Sequence, residues 1–268
     1  VIKTWCAENK MFFDHAQVTL QSCLELQDEI IDLVKKKLRV KVKPKRDKNV
    51  SALKAFKYNC NLSKFKDLKP KKWLNDIVLL CCIRMLMREK KNCWSFRCSF
   101  FNQAVIDSSD GLNYKNVKTH GKEVPGKNIF NLDHLFFPIN LHGNHWTLGY
   151  VDMNRKLVYY YDPMGHKYSD GKKYQRLIHK YLREEHISLF NKDIPADWCF
   201  VDVRHTKGPK QKDLHNCGPL IVMIVDAICT LGVPPEVLFL FGDWDLTDMD
   251  MNRYRHRMGN LILQGELP

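Results

Sequence analysis

Residues 145–162 read HWTLGYVDMNRKLVYYYD, and they decide the fold. His145–Met153 and Lys156–Asp162 are aromatic and β-branched, which predicts two strands with Asp152-Met153-Asn154-Arg155 as the turn between them. His145 opens the first strand, Asp162 closes the second, and the two lie symmetrically about the Met153–Asn154 bond. Positions symmetric about a hairpin turn sit opposite each other and point to one face, so the spacing predicts an imidazole and a carboxylate in contact across the strands. Such a carboxylate fixes the imidazole tautomer and stabilises its cation.

Outward from the hairpin, HLFFPIN (134–140) predicts a third strand and WCFVDVRH (198–205) a fourth. The period changes to helical on both sides. A helix is expected after Pro70, in KKWLNDIVLLCCIRMLMREKK, with Asp76 near its first turn and basic residues at its end. SFFNQAVI (99–106) reads as a buried helix or strand. Tyr174, Leu177, Ile178, Tyr181 and Leu182 mark one side of a helix, and residues 218–231 form a helix apolar nearly all round, hence central, stopped by Gly232, Pro234 and Pro235. A basic amphipathic helix covers 249–263, and residues 14–40 carry helical features. Strands in the middle with helices at both ends predict an α+β fold.

Cys217-Gly218-Pro219 stands directly before the apolar helix. A cysteine there meets the positive end of the helix dipole and unpaired amides, which favour the thiolate. Pro219 suits the first turn, and Gly218 is expected to leave room for a substrate to approach the sulfur. Gln211, six residues earlier, could donate its amide to a developing oxyanion alongside the Cys217 N–H. Other readings stay open: Cys217 as a packed small hydrophobe, His215 rather than His145 as its base, or a metal site of His142, His145, His215 and Cys217, whose spacing matches no standard pattern.

The chain has 268 residues, enough for a sizeable core without metal or disulfide staples. No apolar run approaches the ~18 residues of a membrane span. Its ten cysteines are spread along the chain without a CxxC pair, which predicts reduced thiols in an intracellular protein and no structural zinc. The net charge of +13 is local: Lys35–Lys72 carries 16 Lys and Arg against Asp47 and Asp67, and the remainder is close to neutral. That segment is a nuclear-localisation or polyanion patch, or a solvated lysine-rich loop; no groove-entering motif marks a nucleic-acid binder.

The ordered set W-L-N-D (Trp73–Asp76), S-F-F (Ser99–Phe101), F-P-I-N (Phe137–Asn140), N-H-W (Asn144–Trp146), Y-Y-D-P (Tyr160–Pro163) and Gln211 with Cys217-Gly218 resembles the Ulp/SENP family, the cysteine proteases that process and remove SUMO-like modifiers. The match covers about residues 60–268. It implies a papain-like cysteine protease fold of the Ulp/adenain type, with a mixed central sheet flanked by helices and the nucleophile at the start of a buried helix. It also implies Cys217 as nucleophile, His145 as general base and acid, Asp162 as orienting carboxylate and Gln211 as oxyanion donor. Trp73 and Trp146 become the walls of a tunnel that clamps the modifier's Gly-Gly tail, a role with a physical basis because only glycine is thin enough to lie between two flat rings. Asp76 resembles a position that pairs with an arginine of the modifier; as a first-turn acid it also suits its own helix. The family usually has Asp before the nucleophile, whereas this chain has Asn216.

The expected organisation is an N-terminal helical and lysine-rich extension (1–59) followed by the protease domain (60–268). The expected activity is hydrolysis after the Gly-Gly of SUMO or a related modifier, in precursors or conjugates, by a monomer without cofactor or metal. The modifier is the expected partner, with neither membrane nor nucleic acid, and the nucleus rather than the cytoplasm the expected site. A viral or pathogen polyprotein protease with the same residue order, and a basic chromatin-binding module, are the alternatives.

Overall fold

The structure is a computed structural model and describes residues 62–263, apart from 89, 91, 106–110, 166–167, 204–205, 207, 232–234 and 241–243. The expected helix at 14–40, most of the basic cluster and the Gly232/Pro234 stop lie outside the described residues.

The expected hairpin and its neighbours build one sheet. Five strands lie in the order β1 (Cys93–Ser95), β2 (His134–Leu141), β3 (His145–Asp152), β4 (Leu157–Tyr161) and β5 (Cys199–Phe200). β2, β3 and β4 are antiparallel neighbours, whereas β1 joins β2 and β5 joins β4 in parallel, so the sheet is mixed. Its strands read as nearly continuous apolar runs because both faces are covered. Phe136, Leu148, Tyr150, Tyr159 and Tyr161 point to one side, where α1 (Asp76–Met87), α5 (Cys217–Leu231) and α7 (Asp248–Leu263) pack. Leu135, Phe137, Ile139, Val151, Val158 and Tyr160 point to the other, against α2 (Phe100–Ala104), α3 (Tyr114–Gly121) and α4 (Tyr168–Phe190). A short helix, α6 (Pro235–Leu240), brings Phe239 to Tyr159. Helices on both faces of a mixed sheet make the fold α+β, as the sequence predicts.

Three local expectations are corrected. The helix after Pro70 begins at Asp76 rather than beside the proline: Asn75 caps it, its side chain accepting from Val78 N at 2.9 Å, and Trp73 and Leu74 precede it as extended chain. The strand at 198–205 shrinks to Cys199–Phe200, both exposed; a segment whose side chains meet water has little to hold it in the sheet beyond the two pairs with β4. The β3–β4 turn runs over residues 153–156, with Lys156 in the left-handed region (φ 56°). Pairs Leu148↔Tyr161 and Asp152↔Leu157 therefore centre the hairpin on the Asn154–Arg155 bond, one bond later than expected. The register is displaced by two residues, and an even displacement keeps every side chain on its face.

Candidate active site

Asp162 follows the last residue of β4 and sits diagonally from His145 rather than opposite it. The diagonal is short enough: His145 Nε2 lies 2.6 Å from Asp162 Oδ1, which also accepts from Met164 N at 2.9 Å. Cys217 is the first residue of α5, is 3% exposed, and lies close enough to the same imidazole to raise its basicity. Asp162 occupies Nε2, so Nδ1 is the nitrogen left for the sulfur. Burial pulls His145 towards neutrality, but the hydrogen bonds and charges of Asp162 and Cys217 outweigh it and raise the imidazole from 6.5 to about 9. The geometry thus favours an imidazolium beside a sulfur at a helix N-terminus, where first-turn amides lack intrahelical acceptors. His215, the alternative base, sits 3.5 Å from Asp213 Oδ1.

A cleft of about 380 Å³ opens onto Cys217. Trp73, Asp76 and Trp146 line it with Leu74 and Asn140, so the structure gathers all three residues assigned to substrate around the sulfur. The two indoles differ. Trp146 is buried and donates from Nε1 to Leu74 O at 2.8 Å; Trp73 is 53% exposed and donates to Leu214 O at 2.6 Å, three residues before the cysteine. The two indoles are therefore tied to each other's segments and to the loop that leads into Cys217. Asp76 is exposed, and its Oδ1 accepts from Ile77 N at 2.9 Å, the bond of a first-turn acid.

Gly218 does a different job from the one expected. A Cβ there would lie 3.0 Å from Leu74 Cδ1 and 3.1 Å from Leu74 Cβ. The room it leaves is taken by the Trp73–Leu74 wall, packed onto the first turn of α5, and not by substrate.

Gln211 lies close in sequence but opens elsewhere. Its backbone N donates to Pro163 O at 2.9 Å, which ties the segment to the end of β4 beside Asp162. Its side-chain Nε2 donates to Asp213 O at 2.5 Å, and it lines a separate cavity of about 250 Å³ with Asp213 and Asn216. One of its two amide hydrogens is thus engaged, which leaves one for another acceptor. Among the described residues no group of three or more His, Cys, Asp or Glu could hold a metal ion, and no helix is long and apolar enough to cross a membrane. Among the described cysteines, Cys81, Cys82, Cys93, Cys98, Cys217 and Cys229 are buried and Cys199 is exposed, and none of these seven is in a disulfide.

Two residues near the site escape the sequence reading. Asn140 pairs with Trp146 in the β2–β3 register and presents a buried Oδ1 without a partner beside the cleft; it ends the F-P-I-N run, and nothing in its type marks it. Arg255 is 2% exposed and bonds Asn216 Oδ1 at 3.0 Å and His215 O at 2.8 Å. It had a signal: it falls on the buried stripe Met251, Tyr254, Met258, Ile262, where a lone cation is out of place.

Comparison with known proteins bears on the family and the fold. Ubiquitin-like-specific protease 1 of Saccharomyces cerevisiae is 27% identical over 166 residues, covering 59% of this chain and 24% of the yeast protein. Human Sentrin-specific protease 2 is 26% identical over 175 residues, covering 65% of this chain and 28% of its own. The chain thus spans about a quarter of the length of these relatives. Among solved structures, the C-terminal Ulp1 protease domain in complex with Smt3, the yeast ortholog of SUMO, superposes with a TM-score of 0.62 at 24% identity, over 88% of this chain and 94% of that one, a likeness of fold. The family described as Ulp1 protease family, C-terminal catalytic domain, matches residues 72–265, and the chain belongs to that family.

Proposed function

We propose that the chain is a thiol protease that hydrolyses the bond after the C-terminal Gly-Gly of SUMO or a related ubiquitin-like modifier, in precursors and in isopeptide-linked conjugates. One observation carries the chemistry: His145, bonded to Asp162 at 2.6 Å, stands next to the Cys217 sulfur at the start of α5, with the imidazole raised to about 9. The Cys217 thiolate attacks the glycine carbonyl. The oxyanion is held by the Cys217 N–H, and Gln211 joins as second donor when its side chain turns from the neighbouring cavity towards the sulfur. His145, as imidazolium, gives its Nδ1 proton to the departing amine, leaving a thioester on Cys217. His145 then takes a proton from water, which attacks the thioester and frees the modifier's carboxylate. Asp162 holds the imidazole and stabilises its cation throughout.

The substrate follows from the cleft. A tail entering between Trp73 and Trp146 must be thin, which favours glycine, and Asp76, exposed beside the cleft, is the proposed partner of an arginine on the modifier's folded body. The names of the relatives, a ubiquitin-like-specific protease and a sentrin-specific protease, and the Ulp1 domain bound to Smt3 support the same substrate class. A nuclear site of action rests on the basic segment 35–48 and belongs to this proposal. A polyprotein protease would ignore a folded modifier, which separates the two readings. The test is a SUMO vinyl-sulfone probe: labelling of Cys217 and none of Cys217→Ser is the expected result, and a folded wild-type chain that reacts with no ubiquitin-like probe overturns the proposal.

A further inference from the structure

Arg255 sits deep in the molecule, on the face of α7 turned towards the active site. Its guanidinium makes five hydrogen bonds: Nε to Asn216 Oδ1 (3.0 Å), Nη1 to Asp67 O (3.1 Å) and Lys69 O (3.2 Å), and Nη2 to Lys72 O and His215 O (2.8 Å each). That engages all five of its N–H groups. The acceptors fall in two stretches far apart in sequence, residues 67–72 leading into Trp73 and residues 215–216 leading into Cys217. All five are neutral oxygens, and among the described residues no carboxylate is within ion-pair distance. A buried cation is normally paired, because the cost of leaving water is otherwise unmet.

We propose that Arg255 is the positioning residue of the catalytic cysteine, clamping the Trp73 strap and the Cys217 loop to one helix and adding, behind that loop, a positive charge that no carboxylate pairs directly. The proposal rests on Cys217 being the nucleophile. A planar fork holds backbone carbonyls in a fixed plane, which an ammonium cannot do. The carbonyls it gathers place the outer wall of the cleft and the start of α5 at a fixed separation, so one side chain sets both the width of the entrance and the position of the nucleophile.

The carboxylates around that cation are bonded to other groups, so they act on it from a distance, as Cys217 does. Asp213 is turned to the loop, accepting from His215 N and Asn216 N (2.8 Å each) and from Asn216 Nδ2 (2.5 Å). Asp67 accepts from Asn75 Nδ2 at 2.8 Å. Along α7, Arg257 pairs with Asp226 of α5 and Arg253 lies 4.0 Å from Asp250. From the sheet, Cys217 meets His145 and, beyond it, Asp162, with the Tyr161 hydroxyl turned to Pro209 O. Burial opposes the Arg255 charge, while Asp213, Cys217 and Asp67 favour it. Asn216 completes the arrangement: a carboxylate at that position would claim the guanidinium directly.

The experiment reads thiolate formation and turnover separately, in the full chain. Mass spectrometry follows alkylation of Cys217 by iodoacetamide across pH, resolved from the other cysteines, and a fluorogenic SUMO substrate gives kcat and KM. Arg255→Gln is expected to slow alkylation at about pH 6 roughly tenfold, the scale of one removed charge at close range, and to lower kcat/KM. Arg255→Lys restores alkylation to within about threefold of wild type yet leaves kcat/KM low, since its three donors cannot serve five carbonyl and amide oxygens. Asn216→Asp leaves Arg255 in place and shares its charge, so alkylation at about pH 6 slows in a folded protein. A folded Arg255→Gln variant with wild-type alkylation overturns the proposal. If that variant does not fold, wild-type alkylation in Asn216→Asp overturns it. Alkylation needs no modifier, so a chain that cleaves no SUMO but shows these shifts sinks the proposed substrate and keeps the role of Arg255.

Discussion

Asp162→Asn isolates the electrostatics of the site, because the amide keeps the shape of the carboxylate and removes its charge. His145 stands at about 9 against an ordinary 6.5. Holding the imidazolium there corresponds to about 3 kcal/mol, contributed by Asp162 and Cys217 against the opposing cost of burial. With side-chain exposures of 13% and 8% for His145 and Asp162, little of this is lost to solvent screening. Without the charge, burial acts against Cys217 alone, and the imidazole is expected to fall well below its present value. The alkaline limb of kcat/KM, which reports loss of the imidazolium that protonates the leaving amine, should move down from about 9, and kcat/KM at about pH 8 should drop on the order of 10²–10⁴-fold. The assay is hydrolysis of a fluorogenic SUMO substrate across pH. Stability provides a second readout with a definite sign. A group whose folded value is raised contributes stability that is complete below 6.5 and lost as the pH rises through about 9. The Tm gap between wild type and Asp162→Asn should therefore be widest near pH 6 and close towards the alkaline end. An Asp162→Asn enzyme that keeps its limb near 9, with kcat/KM within about threefold of wild type, would refute the assignment of the raised value to this pair.

The remaining predictions concern the walls and the oxyanion site. Trp73→Ala, at a half-exposed position, should change stability by less than about 1 kcal/mol while raising KM and admitting Gly→Ala tails, measured by denaturant unfolding and by kinetics on altered substrates. Gln211→Ala should lower kcat about 10²–10³-fold with little change in KM; full kcat would show that the backbone amides suffice. Gly218→Ala puts a Cβ against Leu74 and should cost about 1–3 kcal/mol in urea unfolding, together with a loss of kcat/KM as the Leu74 carbonyl shifts under Trp146.

How far the sequence carries depends on whether the information is local. The strands of the central hairpin were legible because both of their faces are buried, which leaves an apolar signature in the residues themselves. The His145–Asp162 contact was legible in kind and not in register. Symmetry about the turn placed the two residues opposite each other, while the observed turn, with Lys156 at positive φ, makes them diagonal neighbours. The contact survives because the displacement is even, and an odd one would have put the carboxylate on the other face. β1 left no signal: it is three residues long and pairs in parallel with a strand some forty residues later. β5 failed in the opposite direction, since Trp198, Phe200 and Val201 look like a strand while only two residues join the sheet. The start of α1 was misplaced because Trp73 and Leu74 suit a helix as well as a strap. What holds them extended is the Asn75 cap and bonds to residues far along the chain.

The same distinction runs through the site itself. The residues proposed to form the catalytic and substrate site are named by their side chains: a thiol, an imidazole, a carboxylate, two indoles. The residues that position them are joined largely through the backbone. Trp146 reads the carbonyl of Leu74, Trp73 that of Leu214, and Arg255 those of Asp67, Lys69, Lys72 and His215. A carbonyl is present whatever the residue type, so the sequence around Lys69–Lys72 does not display its role. The positions that supply only a carbonyl should then tolerate side-chain change, whereas the donor that reads them should not. Replacing Lys69 and Lys72 with Ser is expected to leave kcat/KM within about threefold of wild type, since both are exposed and neither side chain is needed for the clamp. A collapse of activity in that double variant would mean that the lysine side chains, and not the carbonyls gathered by Arg255, set the outer wall of the cleft.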